Sequence, residues 1–266
     1  VNPHAELLPL ALEAVDQARS LILGGTPGVV RFKGDRDMVS ELDQAVEDAV
    51  RMFLSRVTPG IGLLGEEQGT TGPDSHLRWL LDPIDGTANL LHGIPLCAVS
   101  LALVAGDRPV LGVIDLPFLD SRYTATAGGG ASCDGQTIRV SPVSSLVDAV
   151  VSIGDYAVGE GSAEKNKLRL AVTAPLAGRA QRVRMFGSAA IDLAWLAHGR
   201  TDATIILSNK PWDIAAGVII AQEAGAIVMD RDGTPHVPDS TATIAASPGI
   251  ANEILHLLNE ATADPQ

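Results

Sequence analysis

The segment Trp79-Leu80-Leu81-Asp82-Pro83-Ile84-Asp85-Gly86-Thr87-Ala88-Asn89 constrains this chain more than any other. It reads as an apolar strand that ends at one carboxylate, with a second carboxylate beyond a proline-bent turn. Pro83 lacks an N–H and has a fixed φ, which stiffens that turn. Two carboxylates so placed can share a hard divalent cation. Gly86-Thr87 follows, where a helix begins, and the free N–H groups of a helix start can hold an anion such as phosphate. A cation and a phosphate side by side point to metal-assisted phosphoryl chemistry.

Two further segments supply parts that such a site needs. Gly65-Glu66-Glu67 follows a short apolar strand, and Pro211-Trp212-Asp213 opens an apolar, small-residue helix. Glu66, Asp82, Asp85 and Asp213 then form an all-oxygen ligand set, which suits Mg²⁺ or Mn²⁺ rather than Zn²⁺. Taken singly, each has an ordinary explanation. Asp85 and Asp213 can cap helices, and Glu66 can be a solvated loop acid with Glu67 beside it. His92, His198 and His236 show no ligand spacing, and the absence of a Gly-x-x-x-x-Gly-Lys loop argues against an ATP-driven kinase.

The apolar fraction of 46% supports a substantial core, yet aromatics are only 3%, so Ala, Val, Leu and Ile must build it. With 266 residues there is room for one large domain or two closely packed ones. No apolar run approaches a membrane span, and the N-terminal residues lack the basic start and apolar stretch of a signal peptide. Cys97 and Cys133 are too few for a disulfide framework, so a reducing cytoplasm is the simplest setting. The net charge of −13 excludes the basic stripe of a nucleic-acid binder.

Periodicity predicts helices over 5–23 and 41–56, the second with Ser40 as N-cap. Strands follow at 61–64, 78–82, 97–104, 110–115 and 122–127, with hairpin turns at Gly106-Asp107 and Asp134-Gly135. Gly128-Gly129-Gly130 reads as a mobile hairpin base. The second half predicts strands at 149–153, 182–186, 202–207, 226–229 and 243–246. Helices there are expected at 163–173, 189–198, 213–224 and 249–261. The first half, 1–142, is thus an α+β unit, and the second, 143–266, an α/β unit joined through Ser141-Pro142-Val143-Ser144-Ser145.

In order and spacing the chain resembles the inositol monophosphatase family. The match rests on Gly65-Glu66-Glu67, Asp82-Pro83-Ile84-Asp85-Gly86-Thr87-Ala88-Asn89, Trp212-Asp213, Lys33…Asp37-Met38-Val39-Ser40…Asp43, and Gly187-Ser188-Ala189-Ala190-Ile191-Asp192-Leu193. The resemblance implies a layered α-β-α-β-α sandwich of the inositol monophosphatase/fructose-1,6-bisphosphatase type, with the site between the halves. It implies metal ligation by Glu66, Asp82, Asp85, Asp213 and the Ile84 carbonyl, with two or three Mg²⁺ ions and Mn²⁺ as a substitute. Asp43 and Thr87, with Glu66, become the residues that activate water. Asp85, Gly86, Thr87, Gly187, Ser188 and Ala189 become phosphate or substrate contacts. Lys33 and Asp37 lie in a loop that could close over a third metal.

The implied activity is Mg²⁺-dependent, lithium-sensitive hydrolysis of a small phosphate monoester such as inositol 1-phosphate, by a homodimer. The alternatives are histidinol phosphate, fructose 1,6-bisphosphate or a 3′-phosphoadenosine nucleotide, or a non-catalytic relative acting through a partner surface. Inositol-specific members carry a Glu seven residues before the Trp-Asp aspartate. Here Ile206 stands there, which predicts relaxed or shifted substrate preference.

Overall fold

The computed structural model describes residues 4–34, 37–237 and 240–263, with the backbone alone at Asp37 and Ala263. A 3-10 turn, Ala5–Leu7, leads into α1 (Leu8–Gly24), and a hairpin of β1 (Val30–Gly34) and β2 (Asp37–Ser40) precedes α2 (Glu41–Val57). There follow β3 (Gly62–Gly65), β4 (Gly69–Thr71), β5 (Leu77–Asp85), the short helix α3 (Thr87–Leu91), β6 (Ala98–Ala105), β7 (Arg108–Leu116), β8 (Ser121–Thr126), β9 (Gly130–Cys133) and β10 (Gln136–Thr137). The remainder is β11 (Val150–Ile153), α4 (Ser162–Arg179), β12 (Arg182–Arg184), α5 (Ala189–Ala197), β13 (Ala203–Ile206), α6 (Pro211–Glu223), β14 (Ile227–Met229), β15 (Thr243–Ala246) and α7 (Ala251–Ala263).

An eight-stranded sheet runs in the order β10-β9-β8-β7-β6-β5-β3-β4, antiparallel except where β3 meets β5. A five-stranded sheet runs β12-β11-β13-β15-β14, parallel on one side of β13 and antiparallel on the other. Strand alternation sorts the side chains into layers. Trp79 and Leu81 of β5 pack with Val15, Val46, Val50 and Phe53 of α1 and α2. Leu80, between them, packs instead with Ala190, Ala194, Ala216 and Ile219 of α5 and α6. In the second sheet Ile205 faces α4 and α7 with Val172, Leu176, Ile254 and Leu257. Ile206 turns back to Leu193, Leu196, Ile214 and Val218. The result is the α-β-α-β-α sandwich, with α5 and α6 as its middle layer.

A helix apolar all round must be buried all round, and α5 and α6 meet that condition with small residues. An added Cβ at Gly217 would lie 2.6 Å from the Leu193 Cβ, and one at Gly112 of β7 would lie 2.7 Å from the Ala216 carbonyl oxygen. Close approach of backbones does here what aromatic bulk does in other cores.

The structure departs from the sequence reading at several elements. β5 does not stop at Asp82 but continues through Pro83 to Asp85. Its register against β6 slips there, so that three steps from Asp82 to Asp85 oppose two from Ser100 to Ala98. Such a bulge re-aims side chains. α4 runs through Pro175 to Arg179 rather than ending near residue 173. Strands β1, β2 and β4 were not expected, and β9 and β10, given no ranges from sequence, flank the expected hairpin turn at Asp134-Gly135; each is short and takes its conformation from a neighbouring strand. The Gly128–Gly130 turn is not a loose base: the Gly128 and Gly130 N–H groups donate to the Glu223 carboxylate at 2.7 and 2.8 Å.

Gly217→Ala sets two effects against each other. Helix propensity favours Ala by about 1 kcal/mol, while overpacking against Leu193 costs about 1–3 kcal/mol. We expect a net loss, read as a lower denaturant midpoint at unchanged slope; a raised midpoint would contradict the packing described.

Candidate active site

Each strand or helix end that meets at the seam between the two sheets brings a carboxylate. At the β5 bulge, Asp82 Oδ1 accepts the Ile84 N–H at 3.0 Å, which fixes its direction. Asp85 turns toward the second half. Its Oδ2 accepts the Ala190 N–H at 2.6 Å and the Ser188 hydroxyl at 2.8 Å, at the N-terminus of α5, where the helix dipole favours a negative charge. Asp213 lies in the first turn of α6 behind Pro211, and the Trp212 carbonyl before it accepts the Ser100 hydroxyl at 3.1 Å.

Glu66 sits in the turn after β3. That turn is pinned by Glu47 of α2, a fully buried acid whose carboxylate accepts the N–H groups of Glu67 at 2.9 Å and Gln68 at 3.0 Å and pairs with Arg51. Gly65 is required there, since an added Cβ would fall 2.5 Å from the Glu47 Oε1. From sequence, Glu47 and Arg51 look like an ordinary solvent-facing i,i+4 pair, so nothing in the pattern reveals the role.

Asp43 is 1% exposed, not the surface acid that a helix first turn suggests. It completes a capping box with Ser40, whose N–H donates to its Oδ2 at 2.9 Å. Its other oxygen, Oδ1, faces the Thr87 hydroxyl at 2.9 Å. The same hydroxyl is 3.0 Å from the Ile84 carbonyl. Gly86, at φ +93°, occupies the left-handed region, and an added Cβ would strike the Leu96 carbonyl at 2.8 Å. Asn89 is the residue of this motif whose part the sequence did not disclose. Its side-chain amide donates to the Leu96 and Phe186 carbonyls, both at 2.7 Å, and so ties the end of the motif to Gly187-Ser188.

Charge in this cluster is poorly compensated by the protein. Burial raises Asp82 well above the usual carboxylate range, and Glu66, Asp85 and Asp213 add repulsion. Burial, then Asp85 and Glu66, do the same to Asp213, against weaker relief from Lys210 and Lys33. Asp85 is pushed up to about 6 by burial, in spite of its bonds to Ala190 and Ser188. Lys33 is the cation bonded to the group. Its ammonium donates to Glu66 Oε1 at 2.8 Å and Glu67 Oε1 at 2.7 Å, and these partners outweigh burial and raise its pKa. The structure thus places Lys33 against Glu66 and Glu67; the Asp37 side chain lies outside the described residues. Among the described residues no three metal-binding side chains are already gathered into a closed cage. Four mutually repelling carboxylates need added positive charge to draw together, and an all-oxygen donor set fits a hard divalent cation. Glu66, Asp82, Asp85, Asp213 and the Ile84 carbonyl are therefore suited to hold one or more.

Residues 5–263 match the model of the inositol monophosphatase family. The chain belongs to that family. An inositol-1-monophosphatase of Mesorhizobium japonicum is 42% identical over 85% of this chain and 84% of its own. The inositol-1-monophosphatase ImpA of Mycolicibacterium smegmatis is 36% identical over 98% and 94%. Among solved structures, the extragenic suppressor protein SuhB of Bartonella henselae superposes with a TM-score of 0.89 at 33% identity, covering 96% of this chain and 98% of that one. The chain is a phosphoric monoester hydrolase of the inositol monophosphatase family.

Beside the carboxylates lies a cavity of about 170 Å³, lined among others by Asp85, Asp213, Gly187, Ser188 and Ala189. Gly86 and Thr87 do not line it, and the Ser188 hydroxyl is already engaged with Asp85. Four polar residues to which the sequence reading gave no role complete its wall: Asp155, Arg169, Asp192 and Ser208. Asp192 is 1% exposed, has one oxygen without a hydrogen-bond partner, and is raised well above the usual carboxylate range by burial. Ile206 also lines the cavity, but it is 5% exposed and packs into the middle layer. A glutamate there would have to lie among Leu193, Leu196 and Ile214.

Carboxylates raised on folding bind protons more tightly folded than unfolded. Their stability contribution is present below the ordinary value near 3.8 and is lost as pH rises through about 6 for Asp85. A divalent cation needs the ionised forms. The gain in thermal midpoint from added Mg²⁺ over chelator should therefore be larger at pH 7 than at pH 5. A gain independent of pH would count against this cluster as the cation site.

Proposed function

We propose that this protein hydrolyses a small phosphate monoester of the inositol 1-phosphate type, with two or three Mg²⁺ ions held by Glu66, Asp82, Asp85, Asp213 and the Ile84 carbonyl. The observation that carries the reading is the Asp43–Thr87 hydrogen bond at 2.9 Å, set next to four repelling carboxylates. Bound divalent ions would supply Lewis-acid charge for the phosphoryl oxygens and lower the pKa of water. The residues do the rest. Thr87 has one proton; when it donates to Asp43, its lone pairs are left to accept from a water and orient it toward phosphorus. The α5 N-terminus, with Gly187 and Ala189 in the cavity wall, faces the substrate with backbone rather than charge. The polar wall of Asp155, Asp192 and Ser208 suits a hydroxylated leaving group.

A relative from Aquifex aeolicus, 35% identical over 74% of this chain, is named fructose-1,6-bisphosphatase/inositol-1-monophosphatase. A sugar bisphosphate is therefore the second reading of the substrate. A non-catalytic role is disfavoured by the intact Asp43–Thr87 pair. No helix among the described residues is long and apolar enough to cross a membrane. Family resemblance supports lithium sensitivity, a homodimer and a cytoplasmic setting as parts of the same proposal.

Hydrolysis of p-nitrophenyl phosphate should require Mg²⁺ or Mn²⁺ and vanish with EDTA; full activity in chelator would sink the mechanism. Thr87→Ala should lower kcat by about 10²-fold, the scale of a lost proton-transfer partner, with little change in KM. Glu66→Gln should cost more activity than Glu67→Gln, because Glu66 is the one whose charge bears on Asp82 and Asp213, while only 4% of the Glu67 side chain is exposed. The reverse order would exchange their roles.

A further inference from the structure

Among the described residues that line the cavity Arg169 is the one cation, and it forms no ion pair with the acids there. It projects from α4, is 8% exposed and lines the cavity together with Asp85 and Asp213. Its hydrogen bonds all go to neutral acceptors. Nε donates to the Asp155 carbonyl and Nη1 to the Lys165 carbonyl, both at 3.1 Å, and Nη2 donates to the Ser208 hydroxyl. A guanidinium has five N–H donors, so among the described residues one remains on each of Nη1 and Nη2, and charge-assisted N–H groups of this kind bind a carboxylate or phosphate.

Arginines that are only half-buried behave differently. Arg51 pairs with Glu47, while Arg19 and Arg122 pair with Asp115. Arg169 forms no ion pair among the described residues, and burial is the only influence on its ionisation, lowering its pKa with no charged neighbour contributing. An arginine does not shed its proton in a protein, and a buried charge without a counter-charge is costly. Asp155 offers Arg169 its carbonyl, while its carboxylate, on the exposed rim, forms no ion pair with the guanidinium. Arg169 is held to the cavity wall by the Asp155 carbonyl after β11 and by Ser208 after β13, and it bonds to none of the carboxylates suited to the cation. It is therefore placed for a part of the ligand other than the scissile phosphate.

We propose that Arg169 determines specificity by receiving an anionic substituent, a carboxylate or a second phosphate, carried on the leaving alcohol of the substrate. This rests on the phosphomonoesterase reading above and adds to it the charge of the leaving group. Any hydroxyls on the same alcohol would meet Ser208 and the acids of the wall.

Two matched substrate pairs test it on the intact protein with Mg²⁺. Glycerol 3-phosphate against 3-phosphoglycerate adds a carboxylate; fructose 1-phosphate against fructose 1,6-bisphosphate adds a phosphate. The unmodified protein should favour the more anionic member, by kcat/KM, in at least one pair, and the responding pair identifies the anion. Arg169→Gln should reduce that preference about 10-fold or more, the scale of a lost charge-assisted bond. Arg169→Lys, which keeps the charge but not the guanidinium, should retain part of it and serves if the glutamine variant does not fold. No preference in either pair overturns the proposal. So does a preference unchanged in the variants, or a parallel fall for both members with a lowered thermal midpoint, since a clamp between α4 and the Asp155 loop would do just that. Hydrolysis of p-nitrophenyl phosphate by the unmodified protein tests the phosphatase reading separately.

Discussion

The contact between Asp85 and the start of α5 is the interaction on which the rest of the site depends. It joins the end of a strand in the eight-stranded sheet to the N-terminus of a helix that packs on both sheets. One carboxylate oxygen satisfies a backbone N–H that the helix leaves open and a serine hydroxyl. Asn89 reinforces the same seam by donating to carbonyls on both sides of it. Gly86 and Gly187 let the two backbones meet: an added Cβ on Gly86 would lie 3.3 Å from the Gly187 carbonyl. With those ties in place, Asp213 and the α5 N-terminus are held beside carboxylates from a different sheet.

The middle layer makes this seam rigid. Helices α5 and α6 have no solvent face to tolerate drift, and Gly217 and Gly112 bring them into backbone contact with each other and with β7. A core poor in aromatics is therefore not a loose core. Small side chains allow three layers to interlock around one helix pair, and the carboxylates at its edge inherit fixed positions.

Electrostatics then runs against the packing. Folding gathers Asp82, Asp85 and Asp213 where water is scarce, with Glu66 beside them, and among the described residues only Lys33 and Lys210 give Asp213 relief. Stability given up at such a place is the mark of a site shaped for a ligand rather than for the fold. The nearby cavity repeats the pattern in the opposite sign at Arg169, which forms no ion pair among the described residues.

Much of this was legible in the sequence. The periodicities of α1, α2, α5, α6 and α7 locate those helices to within a few residues, because burial on a helical face leaves a repeating pattern. The four carboxylates could be singled out because an acid beside a proline, a glycine or an apolar run stands out against its surroundings, and family order linked them. Other features depended on contacts distant in the chain. The bulge at Asp82 exists only against β6. Asp43 is buried with its free oxygen turned to Thr87, 44 residues on. Glu47 and Arg169 look like surface charges on amphipathic helices until a turn after β3 and a loop after β11 close over them. Periodicity reports whether a residue faces the protein; only the tertiary structure decides what it faces, and charge has its effect through that.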